Sequence, residues 1–388
     1  MQILVIDARR ATPERHGGSR SVVDLLDGLR DLGNDVHYFY DSHADTAEDP
    51  WRWERLAGDC GAGPDGLAHW LAANGATLDV AIAVRPLIAA RYQPQLSQYP
   101  TIAKIYFGMD NLELRARLES ELKGTPDSVR RISASRALER RCWHRYDVIT
   151  HLTVSEAQFV AQDPKAGLSL TVPVFSVDEV AKPEVPISEP NLVFVGGSSY
   201  EPNRDALAWF VADVFPRILA QHPAAQLVVV GYWPDELREH FSRLSAVQFA
   251  GTVSDPDLAA IYQRSRVSIA PIRFGAGVKG KVVAALSNGI PVVSTAVGLE
   301  GLDISAEDDA PRDPGELGAV RADDAASFAD AVCCLIDDEN EWRSLSERGS
   351  QFVARVYSRA KFMSAWEAAL EAAIAERNRR LGETIQGV

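Results

Sequence analysis

The residues best suited to do chemistry are two lysines in a glycine-rich stretch, Arg273-Phe274-Gly275-Ala276-Gly277-Val278-Lys279-Gly280-Lys281. The apolar run before it, 267–270, reads as a strand and residues 279–288 as a helix, so the glycines fall between them. Glycine lets backbone N–H groups approach a ligand, and a helix start adds unsatisfied donors and the positive end of its dipole. With two ammonium groups added, the stretch suits a diphosphate. It is not a GxxxxGK[ST] loop, because Gly280 follows Lys279 and Val282 follows Lys281, and we do not read it as a dinucleotide fingerprint. A glycine-rich turn with two solvated lysines is the plainer alternative. Asp110, with Arg115 about a turn later, is a second candidate: it is either a cleft-facing carboxylate or a helix N-cap. Gly17-Gly18, flanked by His16 and Arg20, is a third. No DxD-like cluster closes a strand, so no metal site is expected.

These residues need elements to position them. Residues 2–7 read as a strand, 20–32 as a helix stopped by Gly33, and 36–40 as a second strand, which is a βαβ opening. Apolar runs at 80–84, 102–107, 148–152 and 170–175 continue the pattern of a parallel sheet covered on both faces. Between Ser176 and Pro190 the chain turns to Pro, Glu and Lys, as a linker does. From Asn191 the alternation restarts, with strands at 192–195, 227–230, 247–250, 267–270 and 291–295 and helices at 205–220, 235–244, 257–264 and 279–288. The fold class is therefore α/β, with two Rossmann-like doubly wound domains over about 1–180 and 190–355. A last helix, running from 359 toward the end at 388, carries Phe362, Trp366, Leu370 and Ile374 at four-residue spacing and must pack on something. In doubly wound sheets ligands bind outside the carboxyl ends of the strands, where all three candidates fall.

A chain of 388 residues with 46% hydrophobic and 24% charged residues suits two ordinary globular domains. No apolar run is long enough for a spanning helix and the amino terminus lacks a signal pattern, so a cytoplasmic protein is expected. Cys60, Cys142, Cys333 and Cys334 show no CxxC pairing and are expected to be reduced and buried. The net charge of −14 argues against nucleic acid as a partner. That charge is uneven: residues 1–150 hold 19 basic against 21 acidic side chains, leaving −12 for the remainder.

The runs Asn191-Leu192-Val193-Phe194-Val195-Gly196-Gly197-Ser198-Ser199-Tyr200-Glu201-Pro202-Asn203-Arg204-Asp205-Ala206, Phe249-Ala250-Gly251-Thr252-Val253-Ser254-Asp255, and 273–281 followed by Gly289-Ile290-Pro291-Val292-Val293-Ser294-Thr295 resemble the retaining glycosyltransferase family 4, glycosyl transferases group 1. The resemblance implies a GT-B fold. It also implies a carboxyl-terminal domain that holds a nucleotide-diphosphate sugar, an amino-terminal domain for a carbohydrate or glycolipid acceptor, and a last helix completing that first domain. By resemblance, Gly17 and Gly18 lie over the donor diphosphate, which Lys279 and Lys281 approach from the other side. Gly197, Asn203, Tyr232 and Val253 then line the nucleotide site together with Phe274, Gly275, Gly277 and Val278, and Asp110 touches the transferred sugar or acceptor. No further cofactor is implied. One departure stands out. The family's ribose-binding glutamate falls at Ala284, which removes a charge-assisted contact worth about 1.5 to 3 kcal/mol. Three consequences remain open: a donor held more by its phosphates and base, a donor without the 2′-hydroxyl, such as a dTDP-sugar rather than a UDP-sugar, or lost activity, as in a non-catalytic scaffold that binds a nucleotide sugar or another transferase.

The segment 130–145 carries Arg130, Arg131, Arg136, Arg140, Arg141 and Arg145. It reads either as a solvated helix laced by Glu139 and Asp147 or as a basic face for peripheral contact with anionic lipid at the inner side of the membrane.

Overall fold

The computed structural model describes residues 1–8, 11, 17–41, 63–109, 111–124, 128–173, 177, 180, 188–241, 245–275, 277–302 and 314–386. Two compact units emerge. One contains Gly18–Val174 and Ala360–Val388 with the first strand, and the other contains Phe175–Arg359.

The first unit is built on six parallel strands, β1 (Gln2–Asp7), β2 (Asp35–Tyr40), β3 (Val80–Val84), β4 (Ala103–Phe107), β5 (Val148–His151) and β6 (Leu168–Thr171), in the order β2-β1-β3-β4-β5-β6. Ile3 pairs with Val36 on one side and Val80 on the other. Its helices are α1 (Gly17–Asp31), α2 (Gly63–Asn74), α3 (Pro86–Ser97), α4 (Leu112–Lys123), α5 (Ser128–Trp143) and α6 (Val154–Ala161). Every residue of β3 and β4 is buried, because helices cover both faces of a parallel sheet. The last strand begins earlier than the apolar run at 170–175 suggests, since its outer edge is half exposed and lacks an apolar signal.

The second unit has β7 (Asn191–Val195), β8 (Gln226–Val230), β9 (Val247–Gly251), β10 (Val267–Ala270), β11 (Val292–Ser294) and β12 (Ala319–Arg321), all parallel, in the order β12-β11-β10-β7-β8-β9. Around them run α7 (Glu201–Trp209), α8 (Phe215–Gln221), α9 (Asp235–Phe241), α10 (Asp255–Gln263), α11 (Gly280–Ser287), α12 (Ala296–Leu299), α13 (Ala325–Asp337) and α14 (Glu339–Val356). The single helix expected over 205–220 is instead α7 and α8 joined by a π turn at Phe210–Val214. Pro216 is the physical reason: it cannot donate to residue 212, so the ladder widens ahead of it. α13 and α14 are capped by Asp324 and Asp338, whose carboxylates accept from the first free N–H groups. Val177 donates to the Tyr357 carbonyl and bridges to Ser358, so the chain enters and leaves this unit side by side.

The final helix, α15 (Arg359–Gln386), belongs to the first unit. Phe362, Trp366 and Leu370 are each about 1% exposed, and Trp366 stands edge-on to Phe107 at 5.1 Å. A Cβ on Gly28 of α1 would lie 2.7 Å from the Phe362 ring, so glycine is what lets α15 approach. Farther along, Arg380 donates to the Asp147 carboxylate at 2.9 Å.

Of the cysteines, Cys142 and Cys333 are buried, and burial pushes their thiols up to about 12 and about 11. Cys334 is exposed, against expectation, because it lies on the solvent side of α13; Cys60 lies outside the described residues. Among the described residues no helix is long and apolar enough to cross a membrane.

Candidate functional site

In the second sheet the strand order reverses between β7 and β10. The chain builds outward through β8 and β9, returns past β7, and builds through β10, β11 and β12, leaving a crevice outside the carboxyl ends of β7 and β10. The loops that open there are Gly196–Tyr200, leading into α7, and Pro271–Lys279, leading into α11.

Close backbone approach explains the glycines. Gly231 has φ +126, and a Cβ there would sit 2.8 to 2.9 Å from the backbone of Gly196 and Gly197, so the loops after β7 and β8 touch main chain to main chain. Ser198 N–H donates to the Tyr232 carbonyl at 3.0 Å, and Gly231 N–H to that of Gly251 at 2.8 Å, which joins the loop after β9 to the same edge. Tyr232 keeps its ring outside and is 64% exposed, with Val253 half-buried beyond Gly251. Trp233 is fully buried, its Nε1 donating to the Gly196 carbonyl at 2.8 Å.

Asn203 is the hinge of the arrangement. Buried near the start of α7, it donates from Nδ2 to the Gly197 carbonyl at 2.9 Å and accepts at Oδ1 from Lys281 Nζ at 2.6 Å. The Lys281 ammonium also stands 4.5 Å from the centre of the Phe194 ring. The residue is half-buried, but its ammonium is enclosed by these groups; burial, and then Lys279, push its pKa down to about 7. Lys279, only 8% exposed, donates to the Gly277 carbonyl at 2.6 Å and faces Glu300 at 3.7 Å. Neither lysine is the solvated side chain of the plainer alternative.

The loop ahead of them is anchored from outside. Arg273 holds Asp205 through two bonds of 2.9 and 2.6 Å and lies over the Trp209 ring. Phe274, Gly275, Gly277 and Val278 are all buried, and the two glycines take φ of +147 and +72, which side chains resist. Gly275, Gly277 and Gly280 do carry GxGxxG spacing. They follow β10 rather than the first strand of the unit, where a dinucleotide fingerprint belongs. Ala284 is half-buried and lies one turn after Lys281 on the same side of α11.

Gly197, Asn203, Tyr232, Gly275, Gly277, Val278, Lys279 and Lys281 therefore share one sheet edge. Gly17 and Gly18 open α1, which belongs to the first unit from Gly18 onward, and Arg20 there is engaged by Asp24 at 3.1 Å. Asp110, Ala276 and His16 lie outside the described residues. The cap of α4 is Asn111, whose side chain accepts from Leu114 N–H.

Sequence reasoning overlooked Glu300, which lies past the end of β11, and a group at the edge of the first sheet. There the order reverses between β1 and β3, where the buried Asp7 pairs with Arg85. Among the described residues Arg85 is the one non-glycine with positive φ, +72, and burial lowers its pKa to about 10. His151, at the end of β5, is 4% exposed with no partner for Nε2 among the described residues, and burial drives it down to about 3. No local sequence signal marks either residue; the crossover order alone singles out Asp7 and Arg85.

Comparison with known proteins agrees with this geometry. Residues 189–338 match the family model described as Glycosyl transferases group 1. A 117-residue stretch is 32% identical to an uncharacterized 44.6 kDa protein in the cps region of Klebsiella pneumoniae, covering 29% of this chain and 30% of that protein. Among solved structures, sucrose-phosphate synthase from Thermosynechococcus elongatus superposes with a TM-score of 0.70 at 18% identity, over 99% of this chain and 100% of that one. The pneumococcal O-GlcNAc transferase GtfA, in complex with UDP and GlcNAc, gives 0.68 at 10% identity over 96% and 99%. HepE of Anabaena, in complex with UDP and glucose, gives 0.62 at 14% identity over the whole of both chains. The chain thus has the GT-B fold, and the part of its second unit over residues 189–338 matches the glycosyl transferases group 1 model.

Proposed function

We propose that this chain is a hexosyltransferase that moves a hexose or deoxyhexose from a nucleotide-diphosphate sugar to a carbohydrate or glycolipid acceptor, with retention of anomeric configuration. The reading places it in the cytoplasm, in cell-surface polysaccharide synthesis, in keeping with the cps-region relative. The observation that carries it is the crevice at the strand reversal of the second sheet, where two lysines and two helix starts face a glycine-lined edge. Breaking the anomeric bond leaves negative charge on the departing diphosphate. Lys279, Lys281 and the free N–H groups of α11 are pre-aimed to stabilise it. The exposed Tyr232 ring and Val253 offer a platform for the base. The first unit holds the acceptor.

Because Ala284 offers no carboxylate beside Lys281, a donor lacking the 2′-hydroxyl is favoured, dTDP-linked over UDP-linked. Calorimetric titration of the whole chain with dTDP-glucose and UDP-glucose tests both statements. Lys279→Ala and Lys281→Ala should each weaken binding by about tenfold to a hundredfold, the worth of one charge-assisted hydrogen bond. Ala284→Glu should tighten UDP-glucose selectively. No binding of either sugar nucleotide, or full affinity in both lysine variants, would remove the phosphate assignment.

A further inference from the structure

The run of α7, the π turn and α8 borders an open cavity of about 580 Å³. That volume falls within the about 300 to 1,000 Å³ of small-molecule sites. Small residues leave the space: Ala212 and Pro216 on this run, and Ala325 at the start of neighbouring α13. Trp209, Asp213 and Arg217 line the cavity with them. In an unbroken α-helix a series spaced by four drifts round the axis by about 40° at each step. The π turn at Phe210–Val214 takes in an extra residue and draws this series back toward one side. Arg217 lies about 20 Å along the helix axis from Asn203, so the cavity is no part of the crevice at the strand reversal.

Its three polar side chains keep bonding capacity that the protein does not use. The half-buried Trp209 ring is held from two directions, with the Arg273 guanidinium 5.7 Å from its centre and Phe328 edge-on at 5.8 Å. Its indole N–H has no acceptor among the described residues, and the exposed Asp213 carboxylate has no donor among them. Arg217, also exposed, spends Nε on the Asp213 carbonyl at 3.1 Å and keeps its terminal nitrogens.

Charge narrows the kind of ligand. Arg273 is already neutralised by its two bonds to Asp205. Asp213 then stands with Asp324, the cap of α13 and within electrostatic reach of Arg217, against that one arginine. No cationic surplus is left for a phosphate or a carboxylate, and the chain as a whole carries −14. A fixed aromatic ring beside unspent donors and an unspent acceptor suits an uncharged ligand with apolar C–H faces and hydroxyls round its rim, which is the surface of a pyranose.

We propose that this cavity binds an uncharged oligosaccharide of hexopyranose units, with one sugar ring against Trp209, a hydroxyl donating to Asp213, and others accepting from Arg217 and the indole N–H. The ring is already fixed by Arg273 and Phe328, so little side-chain ordering opposes binding there.

The test is fluorine NMR of the whole chain carrying 5-fluorotryptophan, titrated with maltotetraose, cellotetraose and mannotetraose. The Trp209 signal is identified as the one that Trp209→Phe removes. The expected result is that at least one of these sugars shifts the Trp209 signal, and that Asp213→Ala and Arg217→Ala each weaken its binding about tenfold, the worth of one charge-assisted hydrogen bond. Both substituted side chains are exposed, and an unchanged melting temperature shows that the variants are folded. A Trp209 signal that none of the sugars moves, full affinity in either variant, or a shift produced by dextran sulfate and by no neutral sugar would each overturn the proposal, the last by assigning the cavity to an anionic glycan. Titration with dTDP-glucose should be the same in both variants as in the native chain, so failure here and failure of the reading of the crevice are told apart.

Discussion

A lysine enclosed by an amide oxygen, an aromatic ring and a second lysine is ready for an anion rather than at rest. Lys281 has its pKa lowered to about 7, so near neutrality part of the population has lost the charge that a diphosphate needs. The sign follows from linkage. An anionic ligand favours the charged amine and raises its pKa on binding, so affinity is full below about pH 7 and falls above it, by up to about tenfold per unit, until the bound-state pKa is passed. A sugar nucleotide lacks a terminal phosphate monoester, so its own titration does not mask the effect. Titration with dTDP-glucose at pH 8, in buffers of differing ionisation enthalpy, should show proton uptake that Lys281→Arg abolishes, since arginine keeps its charge. Uptake that persists in that variant would place the proton elsewhere. The two lysines were visible in the sequence because glycine spacing, strand end and helix start coincide at Gly275–Lys281. Their burial was not, since it depends on Asn203 and Glu300, separated from them by 78 and 21 positions or folded in from another loop.

α15 shows what an element contributes when its partner is far away in sequence. Its apolar positions at 362, 366 and 370 stand in the sequence as a stripe, but a stripe does not name its socket. The socket is Gly28 on α1 and Phe107 on β4, which only the folded chain brings together. Trp366→Ala should cost about 3 to 5 kcal/mol in urea unfolding, since it removes a fully buried ring and leaves a cavity. Trp366→Phe should cost less than about 1.5 kcal/mol, because the indole Nε1 has no partner among the described residues to lose and the edge-on contact with Phe107 survives. Equal losses in both variants would mean that the indole shape itself is needed. The π turn after α7 is the opposite case. Its cause, Pro216, was in plain view, but whether a proline breaks a helix or only widens it depends on packing that periodicity does not record.

At the scale of the whole molecule, the two units differ in how the chain completes them. Apart from the short piece that ends at Gly17, the second is one stretch, Phe175–Arg359, and the ends of that stretch meet at Val177 and Ser358, so cutting there severs few interactions within it. The first depends on a helix that arrives after the second is finished. Fully burying Phe362, Trp366 and Leu370 is worth about 1.5 to 3 kcal/mol for each side chain. Together they rival the about 5 to 15 kcal/mol by which a domain is stable at all. A fragment of residues 175–359 should therefore fold alone, show a cooperative melt, and gain melting temperature with dTDP-glucose in a manner that Lys281→Ala removes. A fragment of residues 1–174 should lack a cooperative melt and bind hydrophobic dyes. Joining residues 360–388 to it through a flexible Gly/Ser linker should restore the melt, and the same linker carrying Trp366→Ala and Phe362→Ala should not. A first fragment that melts cooperatively without those residues would show that α15 decorates a finished core rather than completing it.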